Sequence, residues 1–208
     1  MSFNLQNLRQ EADTRLFSEF RKSVDAPKVT AETIIKENNS QILLESRGID
    51  TNAFDIFLSH SSKDAKIILG ILKKLNDLGY RVYVDWVDDP QLDRNSVTEA
   101  TAEKLRERIN QSKSLLYVTT LNAEGSKWMP WELGYMDGKK EKASILPVFE
   151  TETSSSHTFK GQEYLGIYPY TIEAPTENTK KNKLWVCKNS DFYVAFDEWL
   201  NGKKPYKH

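Results

Sequence analysis

At 208 residues, 38% hydrophobic and 28% charged, the chain has room for one sizeable α/β domain plus an appendage. Twenty-nine basic residues balance thirty acidic ones for a formal net charge of −1, and no Arg-rich stripe interleaved with aromatics occurs, which argues against a nucleic-acid partner. The single cysteine, Cys187, rules out an intramolecular disulfide and points away from a metal site, and the lack of a signal-like amino terminus or an apolar run of about 18 residues predicts a cytoplasmic protein with no membrane association.

Residues 1–50 differ in character from the rest. Leu5, Leu8, Leu16, Phe17 and Phe20 recur at roughly helical spacing, Ile34, Ile35, Ile42, Leu43 and Leu44 suggest a second helix, and Gly48 marks its stop. The pattern predicts an N-terminal helical extension over 1–50, packed on a main domain spanning 51–208 or on a partner chain. The domain opens with FDIFLS (54–59), a β-rich run, followed by an amphipathic helix ending at Gly79 and a second strand, RVYVD (81–85). A polar loop leads to a helix over about 97–111, then to the apolar strand SLLYVTT (114–120), a further helix, and the strand ASILPVF (143–149). TETSSSHT (151–158) and TENTKKNK (176–183) read as surface loops. IYPYTIE (167–173) and KLWVCK (183–188) read as strands, and SDFYVAFDEWLNG (190–202) as a closing helix with Ser190 as cap and Gly202 as stop. Short strands alternating with helices imply right-handed crossovers, so the fold class is α/β, flavodoxin-like in order, with a central parallel sheet flanked by helices.

The most informative stretch is SKWMPWELGYMDGK (126–139). Pro130 suits the first helical position, so the helix is expected to begin near Met129 to Trp131, with Glu132 in its first turn, where the helix dipole favours an ionised carboxylate. The segment follows the strand SLLYV, which puts Glu132 beyond a strand's carboxyl end, where open α/β sheets bind ligands. The competing reading of an isolated Trp-x-x-x-Glu is a core tryptophan and a solvated cap. Ser59 and His60 end the first strand at the same edge; their loop either lines a nucleotide pocket or caps the helix that starts near Asp64. Asp85, Trp86 and Asp88 follow the second strand and either border that pocket or form a surface turn. Of Trp128 and Trp131, one is expected to face the cleft and the other the core. Glu99, Glu103 and Glu107 read as a solvated helix face, and Cys187 as a small buried hydrophobe.

Four motifs then carry a resemblance across about 100 residues. FDIFLSHSSKD (54–64) is similar to the opening strand and loop of a TIR (Toll/interleukin receptor) domain, LGYRVYVDWVDD (78–89) to its second strand leading into the BB loop, INQSKSLLYVTT (109–120) to its helix and third strand, and SKWMPWEL (126–133) to its Trp-x-x-x-Glu box. The chain departs from the family where the common Gly-x-x-Ile/Leu pattern is replaced by LDRNSVTEA (92–100), and no Phe-Trp box is evident. The long later loops most resemble the bacterial TIR-like branch and, within it, the TIR subunits of Thoeris antiphage defence systems. The resemblance implies cleavage of NAD, as substrate and with no cofactor, at the nicotinamide–ribose bond. It makes Glu132 the catalytic carboxylate and Ser59, His60, Asp85, Trp86, Trp128 and Trp131 substrate-binding candidates. It further implies a cyclic ADP-ribose-type messenger that links the enzyme to a separate effector protein, and self-association through TIR surfaces. The alternative is a non-catalytic scaffold acting through TIR–TIR association. A receiver domain would need a phosphorylatable Asp after the third strand, which here ends in Thr119-Thr120.

Overall fold

A computed structural model describes residues 3–4, 6–8, 10, 54–89, 91–92, 97–149, 163–176 and 180–208. Five parallel strands make the central sheet: β2 (Phe54–Ser59), β3 (Val82–Tyr83), β4 (Ser112–Thr119), β5 (Ala143–Phe149) and β6 (Tyr170–Pro175). Their spatial order is β3-β2-β4-β5-β6, the flavodoxin order expected from the βα alternation, with the winding reversing between β2 and β4. The antiparallel strands β7 (Asn182–Cys187), β8 (Phe192–Ala195) and β9 (Tyr206–Lys207) extend the sheet beyond β6.

The alternation of side chains along β2 and β4 feeds two cores, one on each face of the sheet. Ile56, Leu58, Leu116 and Val118 join the cluster beneath helix α1 (Ala65–Asp77), while Phe57, Leu115 and Tyr117 join the cluster beneath α3 (Glu99–Gln111) and α4 (Trp128–Lys140). Helix α1 buries Ile67, Ile68, Ile71, Leu72 and Leu75 at helical spacing. It stops as expected at Gly79, whose φ of 91° suits glycine, with the amide of Gly79 donating to Asn76 O and that of Tyr80 to Leu75 O. The short helix α2 (Asp85–Asp88) follows β3, so the second strand is briefer than the run RVYVD suggests. Helix α3 starts at a Thr98 cap, and the Lys140 ammonium of α4 donates to the carbonyls of Ile109, Asn110 and Ser112 at its far end.

Two expectations change at the ends. At the amino terminus, Phe3–Asn4 is a strand, β1, pairing in parallel with Val148 and Phe149; among the described residues of this segment Gln6–Leu8 and Gln10 are helical, with Asn4 Oδ1 accepting the amides of Gln6 and Asn7. Leu8 is fully buried over Gly70 of α1. The expected helices through Leu16, Phe20, Ile35 and Leu43, the Gly48 stop and the 151–158 loop lie outside the described residues. At the carboxyl end, the closing helix is shorter than its hydrophobic pattern suggests. Asn189, not Ser190, organises the turn by accepting the amides of Asp191 and Phe192. Residues 192–195 alternate as strand β8 against β7, and helix α5 covers only Phe196–Leu200. The Gly202 stop stands, at a φ of 99°.

Candidate functional site

Helix α4 presents Trp128, Met129, Glu132, Leu133 and Met136 to the sheet. These positions repeat at i, i+1, i+4, i+5 and i+8, the core-facing stripe of a helix, and the one ionisable member is Glu132. The helix begins at Trp128 rather than one to three residues later, because the Ser126 hydroxyl accepts the Met129 amide and Pro130 fits anywhere in a first turn whose amides lack helical partners. Glu132 therefore lies just past the first turn. It is also not a solvated cap: its exposure is 0%. The Ser59 hydroxyl, equally buried, donates to Glu132 Oε2 at 2.5 Å. Ser59 closes β2 in register with Tyr117 of β4, so Ser59, Tyr117 and Glu132 share one face of the sheet at the point where its winding reverses. Burial raises the Tyr117 hydroxyl far above its usual range, with Tyr164 and the Glu132 carboxylate adding to the shift.

His60, the next residue, serves the opposite face. Its Nδ1 lies 2.8 Å from Leu58 O and its Nε2 2.7 Å from the Trp86 indole Nε1, which donates. With Nε2 accepting, Nδ1–H must be the donor to the carbonyl, so both ring nitrogens are committed in a neutral tautomer and the 3.4 Å approach of Asp85 Oδ1 is not an ion pair. Trp86 packs against the α1-side core. The DWVDD segment is not a surface turn: Asp85 and Asp89 are each 2% exposed. Asp85 accepts the Trp86 amide, and Asp89 is held by the Arg108 guanidinium fork at 2.7 and 2.9 Å and by the Tyr83 hydroxyl at 2.9 Å. Burial raises Asp89, but those hydrogen bonds outweigh it and hold the carboxyl below its usual range. Asp88, which accepts the Val84 amide, is pushed up to about 7, chiefly by burial.

The two tryptophans differ in burial but touch edge to face, with ring centroids 5.6 Å apart. Trp128 is 7% exposed and belongs to the α4-side core, one helical turn before Glu132. Trp131 is half-buried on the helix flank, stacked on Tyr135 with ring centroids 5.6 Å apart and covered by the Arg106 guanidinium at 5.5 Å. Of the sequence candidates, then, Ser59, Glu132 and Trp128 gather on one face, with Trp131 at the flank against Trp128, and His60, Asp85 and Trp86 cluster beside β2 on the other. Sequence reasoning missed a further element of this edge. Asp64, 4% exposed, accepts hydrogen bonds from the Thr120 hydroxyl at 2.5 Å and the Asn122 amide at 2.6 Å, tying the loop after β2 to the loop after β4. The acid that closes the FDIFLSHSSKD motif was the visible signal; its partners, 56 and 58 residues away, were not. Among the described residues no group of three or more His, Cys, Asp or Glu side chains is arranged to hold a metal ion.

A groove of about 890 Å³ lies elsewhere, across β6, β7 and β8, with Tyr170, Ile172, Trp185 and Tyr193 among its walls. Among the described residues no acid lines it. Cys187 also lines it, buried, with its thiol pushed up to about 11 by that burial.

A family model of the TIR domain matches residues 56–173. A protein of Bacillus cereus (strain MSX-D12) named "Probable 3′ cyclic ADP-D-ribose synthase ThsB′" is 48% identical over 147 residues, covering 71% of this chain and 75% of that one. A Cytobacillus dafuensis protein, provisionally named cyclic ADP-D-ribose synthase TIR2, is 39% identical over 94 residues, 44% of this chain and 25% of its own length. The crystal structure of the TIR domain of the Toll-related receptor TRR-2 from Hydra magnipapillata aligns with 57% of this chain and 82% of that one, at 16% identity and a TM-score of 0.42.

Proposed function

Because the chain belongs to the TIR domain family, we propose that it is an NAD-consuming enzyme that cleaves the nicotinamide–ribose bond and closes the ADP-ribose into a cyclic product, with Glu132 as the catalytic carboxylate. The observation that carries this reading is a carboxylate buried at the winding reversal of the sheet, in a stripe where the helix otherwise places apolar side chains. Sustaining a charge there costs several kcal/mol, a cost that folding alone does not require.

The chemistry matches that placement. Nicotinamide in NAD is positively charged and leaves readily, so the barrier lies in the oxocarbenium-like charge that develops on the ribose. A fixed carboxylate in a water-poor site offsets that charge and orients the ribose hydroxyls, without solvent having to reorganise. The same exclusion of water favours attack on the anomeric carbon by another atom of the bound ADP-ribose, which is cyclisation, over hydrolysis. Trp128, beside Glu132, is the aromatic wall best placed to fold the ligand back. Since Glu132 is fully buried, the ribose reaches it only after local opening, which fits an enzyme that turns over on a trigger. Val97 and Leu121, 66% and 88% exposed on loops at the carboxyl edge of the sheet, supply apolar surface for self-association. The names of the two bacterial relatives support the cyclic product, and with it a role in antiphage signalling through a separate effector.

Incubating the purified chain with NAD, alone and with lysate of phage-infected cells, and separating the products by chromatography and mass spectrometry tests the reading. The expected product is lighter than ADP-ribose by one water. Linear ADP-ribose alone would make the chain a plain NAD hydrolase, and no NAD consumption under any trigger would favour the scaffold.

A further inference from the structure

We propose that Ser59 is a positioning residue for Glu132 and not a ligand to the substrate; the proposal rests on the reading of Glu132 given above. A serine hydroxyl has one proton to donate, and here that proton is directed at Glu132 Oε2 across 2.5 Å, between two side chains with no exposure to solvent. A hydroxyl–carboxyl contact of that length is a strong one, so a ribose hydroxyl would have to compete for Ser59 with a partner already in place.

Both ends of the contact are held by rigid elements. Ser59 is the last residue of β2 and is paired with Tyr117 on β4, while the α4 backbone is anchored by Trp128, Leu133 and Met136 in the core. The chain just beyond Ser59 is pinned from the other face as well, because His60 is fixed between Leu58 O and the Trp86 indole. The donor therefore stands at a fixed point, and the carboxylate, free to rotate about its last torsion in isolation, is held in one orientation. The same bond offsets part of the cost of keeping a charged group in the core. Ser59 thus acts on the reaction through Glu132.

The test uses the full chain with Ser59→Ala, Ser59→Cys and Glu132→Gln, in steady-state kinetics on NAD and in infrared difference spectroscopy of the carboxylate bands. For Ser59→Ala, kcat is expected to fall about 10- to 100-fold, the range of one hydrogen bond to a charged group, with KM changed less than about twofold. Ser59→Cys, which retains a weak donor in similar volume, is expected to fall in between. A rise in KM at unchanged kcat would make Ser59 a substrate contact and overturn the proposal, as would unchanged kinetics. The infrared arm needs no turnover. The carboxylate band that disappears in Glu132→Gln should shift in Ser59→Ala, and an unshifted band overturns the proposal whatever the activity. Full activity in Glu132→Gln sinks the reading of Glu132 as the catalytic group, an outcome separate from either result for Ser59.

Discussion

Glu132 decides most of what the molecule can do. Its sequence context, an acid after Trp-Met-Pro-Trp, suggested an exposed first-turn carboxylate worth a few tenths of a kcal/mol to about 1 kcal/mol through the helix dipole. In the fold it is buried between Trp128 and Met136 and bonded to Ser59, so its ionised form carries a desolvation cost that a first-turn surface acid does not. Glu132→Gln keeps the shape, retains an oxygen that accepts the Ser59 hydroxyl, and removes the buried charge. The expected outcome is loss of nicotinamide release together with a melting temperature raised by about 2–4 °C, equivalent to about 1 kcal/mol for a chain of this size. A calorimetric scan beside the NAD assay checks both. A melting temperature lowered by several degrees would show the carboxylate to be a structural requirement.

At the scale of elements, the amino-terminal segment and α1 are fitted to each other at one glycine. Replacing a helical glycine with alanine ordinarily gains about 0.5–1 kcal/mol. At Gly70, however, a Cβ would stand 2.5 Å from the backbone oxygen of Leu8, and a main chain cannot give way as a flexible side chain can. Gly70→Ala is therefore expected to lower the melting temperature and to open the segment around Phe3–Leu8 to proteolysis; a stabilised, protease-resistant variant would refute the docking. The junction of α2 with α3 rests on the Asp89–Arg108 fork. Arg108→Met strips the fork from Asp89, 2% exposed, leaves the Lys104 ammonium 3.8 Å away as a weaker counter-charge, and should cost about 3 kcal/mol in urea unfolding, the lower end for a broken buried pair. Adding Asp89→Asn should recover part of that loss, since the stranded charge, more than the missing bond, is the penalty.

For the molecule as a whole, Asp88 shapes how stability depends on pH. Burial pushes its carboxyl up to about 7, against the pull of the Val84 amide, whereas in the unfolded chain an aspartate titrates near about 4. Between those values the folded state keeps a proton that the unfolded state has released, so this group makes stability fall as pH rises from about 4 to about 7 and adds no further slope above. Asp89 works in the other direction and outside that window. Its depressed value gives stability that is present above about 4 and lost only as pH falls through the folded value. Urea midpoints at pH 5 and pH 8 are expected to differ more in the unaltered chain than in Asp88→Asn; equal differences would show that Asp88 does not titrate in this range.

The order of strands and helices, their flavodoxin-like winding and the Trp-x-x-x-Glu box were legible in the sequence, because side-chain period and glycine stops act within a few residues. Periodicity faltered where two patterns overlap. Phe192–Ala195 reads as the opening of a helix until β7 supplies the strand it pairs with, and Phe3–Asn4 becomes a strand only because the end of β5 is there to receive it. The site depended more heavily on the tertiary structure. Local pattern read Glu132 as a first-turn acid; its burial, and its pairing with Ser59, 73 residues away and brought to it by the adjacency of β2 and β4, come from the packing. The separation of His60 and Trp86 onto the other face follows from the alternation of side chains at the end of β2, which assigns neighbouring residues to opposite cores once helices cover both sides of the sheet. Burial and long-range pairing are properties of what packs where, and a local pattern carries them only when each position has one packing partner to choose.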